Sequence, residues 1–358
     1  MSTFMIPGAA FLVSLIVCRL MIRLGPKDAP DGGRKTQAVP VPSSGGIGIV
    51  IGIASGMAVL WLLGAAAAER LFSPPFAGIT GFVVVAVLIG WLDDAKGLTA
   101  RTKLLILLVA ALGAVLAGLV PETLWISGKG ISLPWLAAAG LAAGWIFVMS
   151  NAVNFMDGAN GIAMGTCLII LCALVLMLTP AVPYFPDHKA AALLVWFLLA
   201  AAAAIGGFLF WNLRGLLFAG DAGALSIGGL IGGASVMFAM TGPVLVPLTL
   251  CLPILIDVLM TLAWRAKRGR PLMQAHRDHA YQLLLRSGWS HERVAKLWWM
   301  MTAFCAGGVL AGPFAVTVGA YPAGKLPVDV LVFAIFVTAG ILIWTYQRCT
   351  LGRKLEAQ

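Results

Sequence analysis

The sequence predicts an all-α, polytopic membrane protein, and three observations carry that prediction. The chain is 61% hydrophobic and only 11% charged, with a mean hydropathy of +0.98, well outside the composition of water-soluble domains. The apolar residues come in continuous runs long enough to cross about 30 Å of hydrocarbon as helices. The runs do not alternate polar with apolar, as the strands of a membrane barrel must.

Taken in order, the runs fall at 3–22, 46–66, 76–92, 103–120, 134–150, 161–179, 190–211, 222–240, 243–264, 296–320 and 328–347. This makes eleven spans, with ten as the alternative count. The first has no basic residue before it and is followed by Arg19 and Arg23, so its N-terminus is expected outside and it reads as an anchor. From that start the C-terminus is cytoplasmic, and the cytoplasmic loops fall at about 23–45, 93–102, 151–160, 212–221 and 265–295. All of the 24 Lys and Arg residues except Arg70, Lys129, Lys189 and Lys325 then lie on one side. The net charge of +10 is thus a topology signal and an attraction for anionic headgroups or phosphates. Nucleic acid is not an expected partner, because no soluble module interleaves aromatic and basic residues. The six cysteines form no CxxC pair and read as apolar fillers. With no repeat and no linker, 1–358 reads as one membrane domain.

The same alternation gathers the acidic residues on the basic face. Asp93 and Asp94 end an apolar run in Trp91-Leu92-Asp93-Asp94-Ala95-Lys96. A helix cap would need one carboxylate, whereas two adjacent ones repel and call for a cation. Lys96, Arg101 and Lys103 are close in sequence, and magnesium, a hard ion that shares oxygen ligands with phosphates, suits the pair. The loop from Asn151 to Gly161 holds Asn154, Asp157 and Asn160 and no Lys or Arg, which suits contacts to a nucleotide or sugar better than a plain turn. Asp221, in Phe218-Ala219-Gly220-Asp221-Ala222-Gly223, stands just before a span, where helix N-terminal NH groups attract anions, and Asn212 and Arg214 precede it. Asp257 leads into Arg265 and the basic segment that ends in His276-Arg277-Asp278-His279. If helical, His276 and His279 would share a face; no HExxH pattern accompanies them, so phosphate or carboxylate binding is favoured over zinc. His188 and His291 read as incidental. In the first loop, Lys35 is followed by Pro40-Val41-Pro42-Ser43-Ser44-Gly45-Gly46, whose glycines serve either close helix packing or backbone approach to a diphosphate.

These motifs, in this order from about Arg34 to His279, resemble the polyprenyl-phosphate N-acetylhexosamine-1-phosphate transferase superfamily. The resemblance implies transfer of sugar-1-phosphate from a UDP-N-acetylhexosamine to undecaprenyl phosphate with release of UMP, at the cytoplasmic face of a bacterial inner membrane. It implies catalytic roles for Asp93 and Asp94, as nucleophile or as base. Asp221 is implied as the magnesium ligand, with manganese as the alternative ion. Substrate contacts are implied at Lys35, Gly45, Gly46, Lys103, Asn154, Asp157, Asn212, Arg265, His276 and His279, and relatives imply a homodimer. Many relatives carry Asp where this chain has Asn160, and His-x-His-His where it has His276-Arg277-Asp278-His279. The latter form is more similar to the O-antigen initiating branch, with N-acetylglucosamine or a deoxy relative as donor sugar, than to the phospho-N-acetylmuramoyl-pentapeptide branch. A secondary transporter or flippase is the rival reading; its charges should lie near the bilayer midplane, often in two repeated halves.

Overall fold

The computed structural model describes residues 4–28, 40–178, 188–272, 274, 276–317 and 327–352. In chain order the elements are α1 (Met5–Leu24), β1 (Lys27–Asp28), β2 (Val41–Pro42), α2 (Gly45–Leu62), α3 (Pro74–Lys96), α4 (Ala100–Leu116), β3 (Thr123–Ile126), β4 (Lys129–Ser132), α5 (Trp135–Met156), α6 (Ile162–Met177), α7 (His188–Asn212), α8 (Gly220–Ala239), α9 (Leu245–Lys267), α10 (Ala280–Arg286), α11 (His291–Thr317) and α12 (Val328–Gln347). Among the described residues, nine helices are long and apolar enough to cross a membrane, and α4 and α6 are shorter. The protein is an all-α polytopic membrane protein; each of the eleven predicted runs overlaps one α-helix, nine of them long enough to span and two, α4 and α6, shorter.

The bundle is built around α8. Every residue from Ala222 to Ala239 is buried, because α2, α3, α5, α6 and α9 pack around it. Its paired glycines let two backbones in at once. A Cβ at Gly228 would stand 2.5 Å from the Met149 carbonyl of α5, and one at Gly229 would stand 1.9 Å from the Phe82 ring of α3. Without water to drive association inside a bilayer, such close van der Waals approach is what holds helices together. Buried hydroxyls add ties, as Ser150 donates to Leu225 O (2.8 Å) and Ser14 to Ala204 O (2.7 Å).

Several boundaries differ from expectation. α3 continues to Lys96, so Asp93 and Asp94 lie on its last turn and not in a loop. α4 starts at Ala100, with the Thr99 side chain accepting from Thr102 N (3.2 Å), so Arg101 and Lys103 are in a helix. Asp221 is likewise helical, in the first turn of α8. Sequence periodicity did not reveal the β3–β4 hairpin, which turns through positive φ at Ser127 and Gly128. That hairpin is tied to α12 where Asp329 accepts from Ser127 N (2.8 Å) and Ser127 Oγ (2.5 Å), at the end of the bundle opposite the acidic turns.

Candidate active site

The α3–α4, α5–α6 and α7–α8 connections meet at one end of the bundle and bring a polar cluster together. Asp93 Oδ1 accepts from Leu98 N (2.6 Å) and its Oδ2 pairs with Lys103 Nζ (2.8 Å). The same ammonium pairs with Asp221 Oδ2, and Asn154 Nδ2 donates to Asp221 Oδ1 (2.8 Å). Asp94 reaches across from α3 to cap α8, accepting from Asp221 N (3.3 Å) and Ala222 N (3.5 Å), two of the amides a helix start leaves unpaired. Gly220 permits this approach: its φ is +69°, and a Cβ there would stand 1.8 Å from Ser43 O and 2.4 Å from Asp94 Oδ2. Asp157, at the end of α5, completes the cluster. Burial, and then the nearby Asp221 and Asp94 carboxylates, raise its carboxyl well above the usual carboxylate range.

Asp93 and Asp221 thus share the ammonium of Lys103, while Asp94 and Asp157 stand beside Asp221 as further buried acids. Carboxylate and amide oxygens are the donors a hard divalent ion selects. Among the described residues no group of three or more acidic, histidine or cysteine side chains is arranged to hold a metal ion. An ion held by one or two carboxylates and completed by phosphate and water needs no such group. In that sense the residues fit magnesium.

A second cluster adjoins the first. His276 and His279 are not on a shared helix: His276 lies in an irregular segment and His279 caps α10, yet their rings are 4.9 Å apart. Phe155, beside Asn154, lies 5.7 Å from the His279 ring, and Tyr281 Oη donates to Phe155 O (3.1 Å), which links the clusters. Arg265 is buried and donates to the Asp278 carboxylate and to Pro271 O (2.6 Å). Buried nitrogens without a protein partner remain at Arg265 Nε, His276 Nε2 and His279 Nε2. For His276, burial, then the His279 ring and the Arg265 guanidinium, push the imidazole down to about 4, so it is neutral near pH 7.

Other predicted contacts take structural places. Gly45 N and Gly46 N donate to Phe218 O and Ala219 O (both 2.9 Å), and a Cβ at Gly46 would stand 2.1 Å from Gly223 N. These glycines pack α2 on the start of α8, and their amides are already used. Asn212 is buried, accepting from Gly161 N (2.7 Å) and donating to Leu217 O (2.9 Å), so it braces two loops. Lys35 lies outside the described residues. Two roles were not foreseen. Asp257, singled out only as the start of the basic stretch, accepts from Ala280 N (2.7 Å) and Tyr281 N (3.3 Å), fixing α10. His291 Nδ1 accepts from Asn160 N (3.2 Å). Both act over long sequence separations, which no local spacing signals.

The glycosyl transferase family 4 profile matches residues 76–239, which hold Asp93, Asp94, Lys103, Asn154, Asp157 and Asp221. The chain is 28% identical over 319 residues to a decaprenyl-phosphate N-acetylglucosaminephosphotransferase of Mycolicibacterium smegmatis, covering 82% of this chain and 77% of the relative. It is 29% identical over 303 residues to a Bacillus subtilis protein named probable undecaprenyl-phosphate N-acetylglucosaminyl 1-phosphate transferase (79% and 78% covered). It is 29% identical over 338 residues to a phospho-N-acetylmuramoyl-pentapeptide-transferase of Mycolicibacterium vanbaalenii (84% and 92% covered). The chain is therefore similar to glycosyl transferase family 4 over residues 76–239 and, over most of its length, to the polyprenyl-phosphate N-acetylglucosamine phosphotransferases and pentapeptide transferases named above.

Proposed function

We propose that this protein transfers the sugar-1-phosphate of a UDP-N-acetylhexosamine to a polyprenyl phosphate, undecaprenyl phosphate in the first instance, and releases UMP. One observation carries the reading: at the start of the buried helix α8, Lys103 joins Asp93 to Asp221, Asn154 holds Asp221, and Asp94 and Asp157 stand beside them. A lipid phosphate oxygen forms a new bond to the β-phosphorus, and the bond from that phosphorus to UMP breaks. Both partners are anionic, so their repulsion has to be screened before in-line attack. Asp221 is the residue we assign to hold magnesium, or manganese, which would neutralise the phosphates as charge moves to the leaving UMP.

The chain's own groups do the rest. Asn154 and Lys103 orient the Asp221 carboxylate. The amides of α8 hold Asp94, leaving Asp93 and Asp94 as the candidate nucleophile or base. Arg265, His276 and His279, with their unpartnered nitrogens, are the groups we assign to the UDP-sugar. Positive charge at this end of the chain favours a cytoplasmic site in an inner membrane, with the N-terminus outside. UDP-sugar then arrives from water while the prenyl tail stays in lipid. Initiation of O-antigen or another cell-surface polysaccharide is the role this activity would serve, and a homodimer is the assembly the family resemblance implies.

A second reading, with UDP-N-acetylmuramoyl-pentapeptide as donor, is favoured by the similarity to pentapeptide transferases. The transporter reading lacks support, because the carboxylates collect at one end of the bundle. Purified protein in nanodiscs, given undecaprenyl phosphate, magnesium and a panel of UDP-sugars, should release UMP with one preferred donor. No UMP across the panel refutes the transferase reading.

A further inference from the structure

Of the residues of α12, Trp344 alone is buried, so most of the helix lies at the periphery of the bundle. Its C-terminal end behaves differently. It widens into a π-helical turn, Arg348–Gly352, a local distortion often found at functional positions. We propose that this end is a latch on the segment Arg265–His279, with Arg348 as a positioning residue for the histidine cluster. The functional half of the proposal rests on the transferase reading, whereas the structural half does not.

The latch grips at two points. Arg348 Nη2 donates to the backbone carbonyl of Asp278, while the guanidinium stacks over Trp264 (4.1 Å to the ring centre) and Trp344 (5.2 Å). Asp278 lies outside helix and strand, so its carbonyl needs a donor from elsewhere. The carboxylate of the same Asp278 holds Arg265 and lies 3.6 Å from Arg270. Arg348 therefore fixes the backbone of the residue whose side chain fixes Arg265.

Trp344, one turn earlier on the same face, makes the second grip. Its Nε1 donates to Thr261 Oγ1 (3.3 Å), and Thr261 donates to Asp257 Oδ1 (3.2 Å). Asp257 in turn holds the first amides of α10. His276 and His279 are thus bounded by two anchors that both lead to one turn of α12, and loosening that turn frees the histidines while α8 and its acids stay in place.

The test compares Arg348→Ala, Arg348→Lys and Trp344→Phe with Tyr346→Ala, an exposed position on the same helix. All are made in the full chain and studied in nanodiscs. Hydrogen exchange should rise about tenfold in the 276–284 amides of Arg348→Ala and less in Arg348→Lys, with α8 unchanged. With the preferred UDP-sugar, undecaprenyl phosphate and magnesium, KM for the nucleotide sugar should rise on the order of tenfold while kcat stays within about threefold, partly restored by Lys. Exchange in 276–284 no faster than in Tyr346→Ala overturns the latch, as does a fall in kcat with KM unchanged. If Arg348→Ala does not fold, Trp344→Phe, which removes only the indole NH, is read by the same exchange measurement. If the wild-type protein releases no UMP, the transferase reading fails and exchange alone decides the latch.

Discussion

Among the described residues, two helix starts are capped by an aspartate from another helix, and they differ in what surrounds the cap. Asp94 of α3 caps α8, and Asp257 of α9 caps α10, each accepting from two backbone amides. Around Asp257 the neighbours are Thr261, at 3.2 Å, and the His279 ring, whose Nδ1 is 3.6 Å away, too long for a hydrogen bond. The needs of the backbone account for that carboxylate. Around Asp94 stand Asp93, Asp157 and Asp221, with Lys103 as the compensating charge. Helix capping accounts for Asp94, and Lys103 joins Asp93 to Asp221, yet three further acids still crowd one helix start. A cap alone does not mark a site; further acids gathered around one do.

The sharpest way to break this comparison is to neutralise each cap. Asp94→Asn should lower UMP release by about a thousandfold or more with folding retained, as expected when a group acting on the reacting phosphates is lost. Asp257→Asn should instead lower thermal stability by about 1–2 kcal/mol, the worth of a cap, with turnover per folded molecule within about tenfold. Equal melting losses and wild-type turnover in both would make the two carboxylates equivalent. Asp221→Asn should match Asp94→Asn in turnover; wild-type rates there would remove its assignment as the metal ligand. Lys103→Met should cost about a hundredfold, because it leaves Asp93 and Asp221 facing each other uncompensated. More divalent ion should partly restore the rate, as a magnesium titration would register.

Gly46→Ala should destabilise by about 1–3 kcal/mol, by pressing α2 off the start of α8; its melting temperature tests that. The smallest effect concerns His276. Its folded value of about 4 lies below its ordinary 6.5, so the unfolded chain takes the proton first. This contribution to stability is present above about pH 6.5 and is lost as the pH falls toward 4. His276→Gln should flatten that part of the stability profile, and an unchanged slope would show that the ring is not held neutral by its surroundings.

Much of this was readable in the chain. Asp93, Asp94, Asn154, Asp157 and Asp221 stood out because an apolar sequence rarely spends carboxylates, and the basic face sorted them to one end. What misled was local. The glycines at 45 and 46 looked equally suited to a phosphate and to packing, and only the carbonyls of Phe218 and Ala219 opposite them decide for packing. Asn212 looked like a ligand contact, and it is buried between two turns of backbone.

By itself, the sequence determined the membrane class, the positions of the nine spanning helices and the end of the bundle where the acids collect, because hydropathy and charge act residue by residue along the chain. Tertiary structure alone decided that Asp94 caps α8, that Lys103 stands between Asp93 and Asp221, and that α12 returns to grip Asp278. Those contacts join residues 127, 118 and 70 positions apart. Their partners are chosen by how helices pack in three dimensions, for which no periodicity in the sequence stands as a sign.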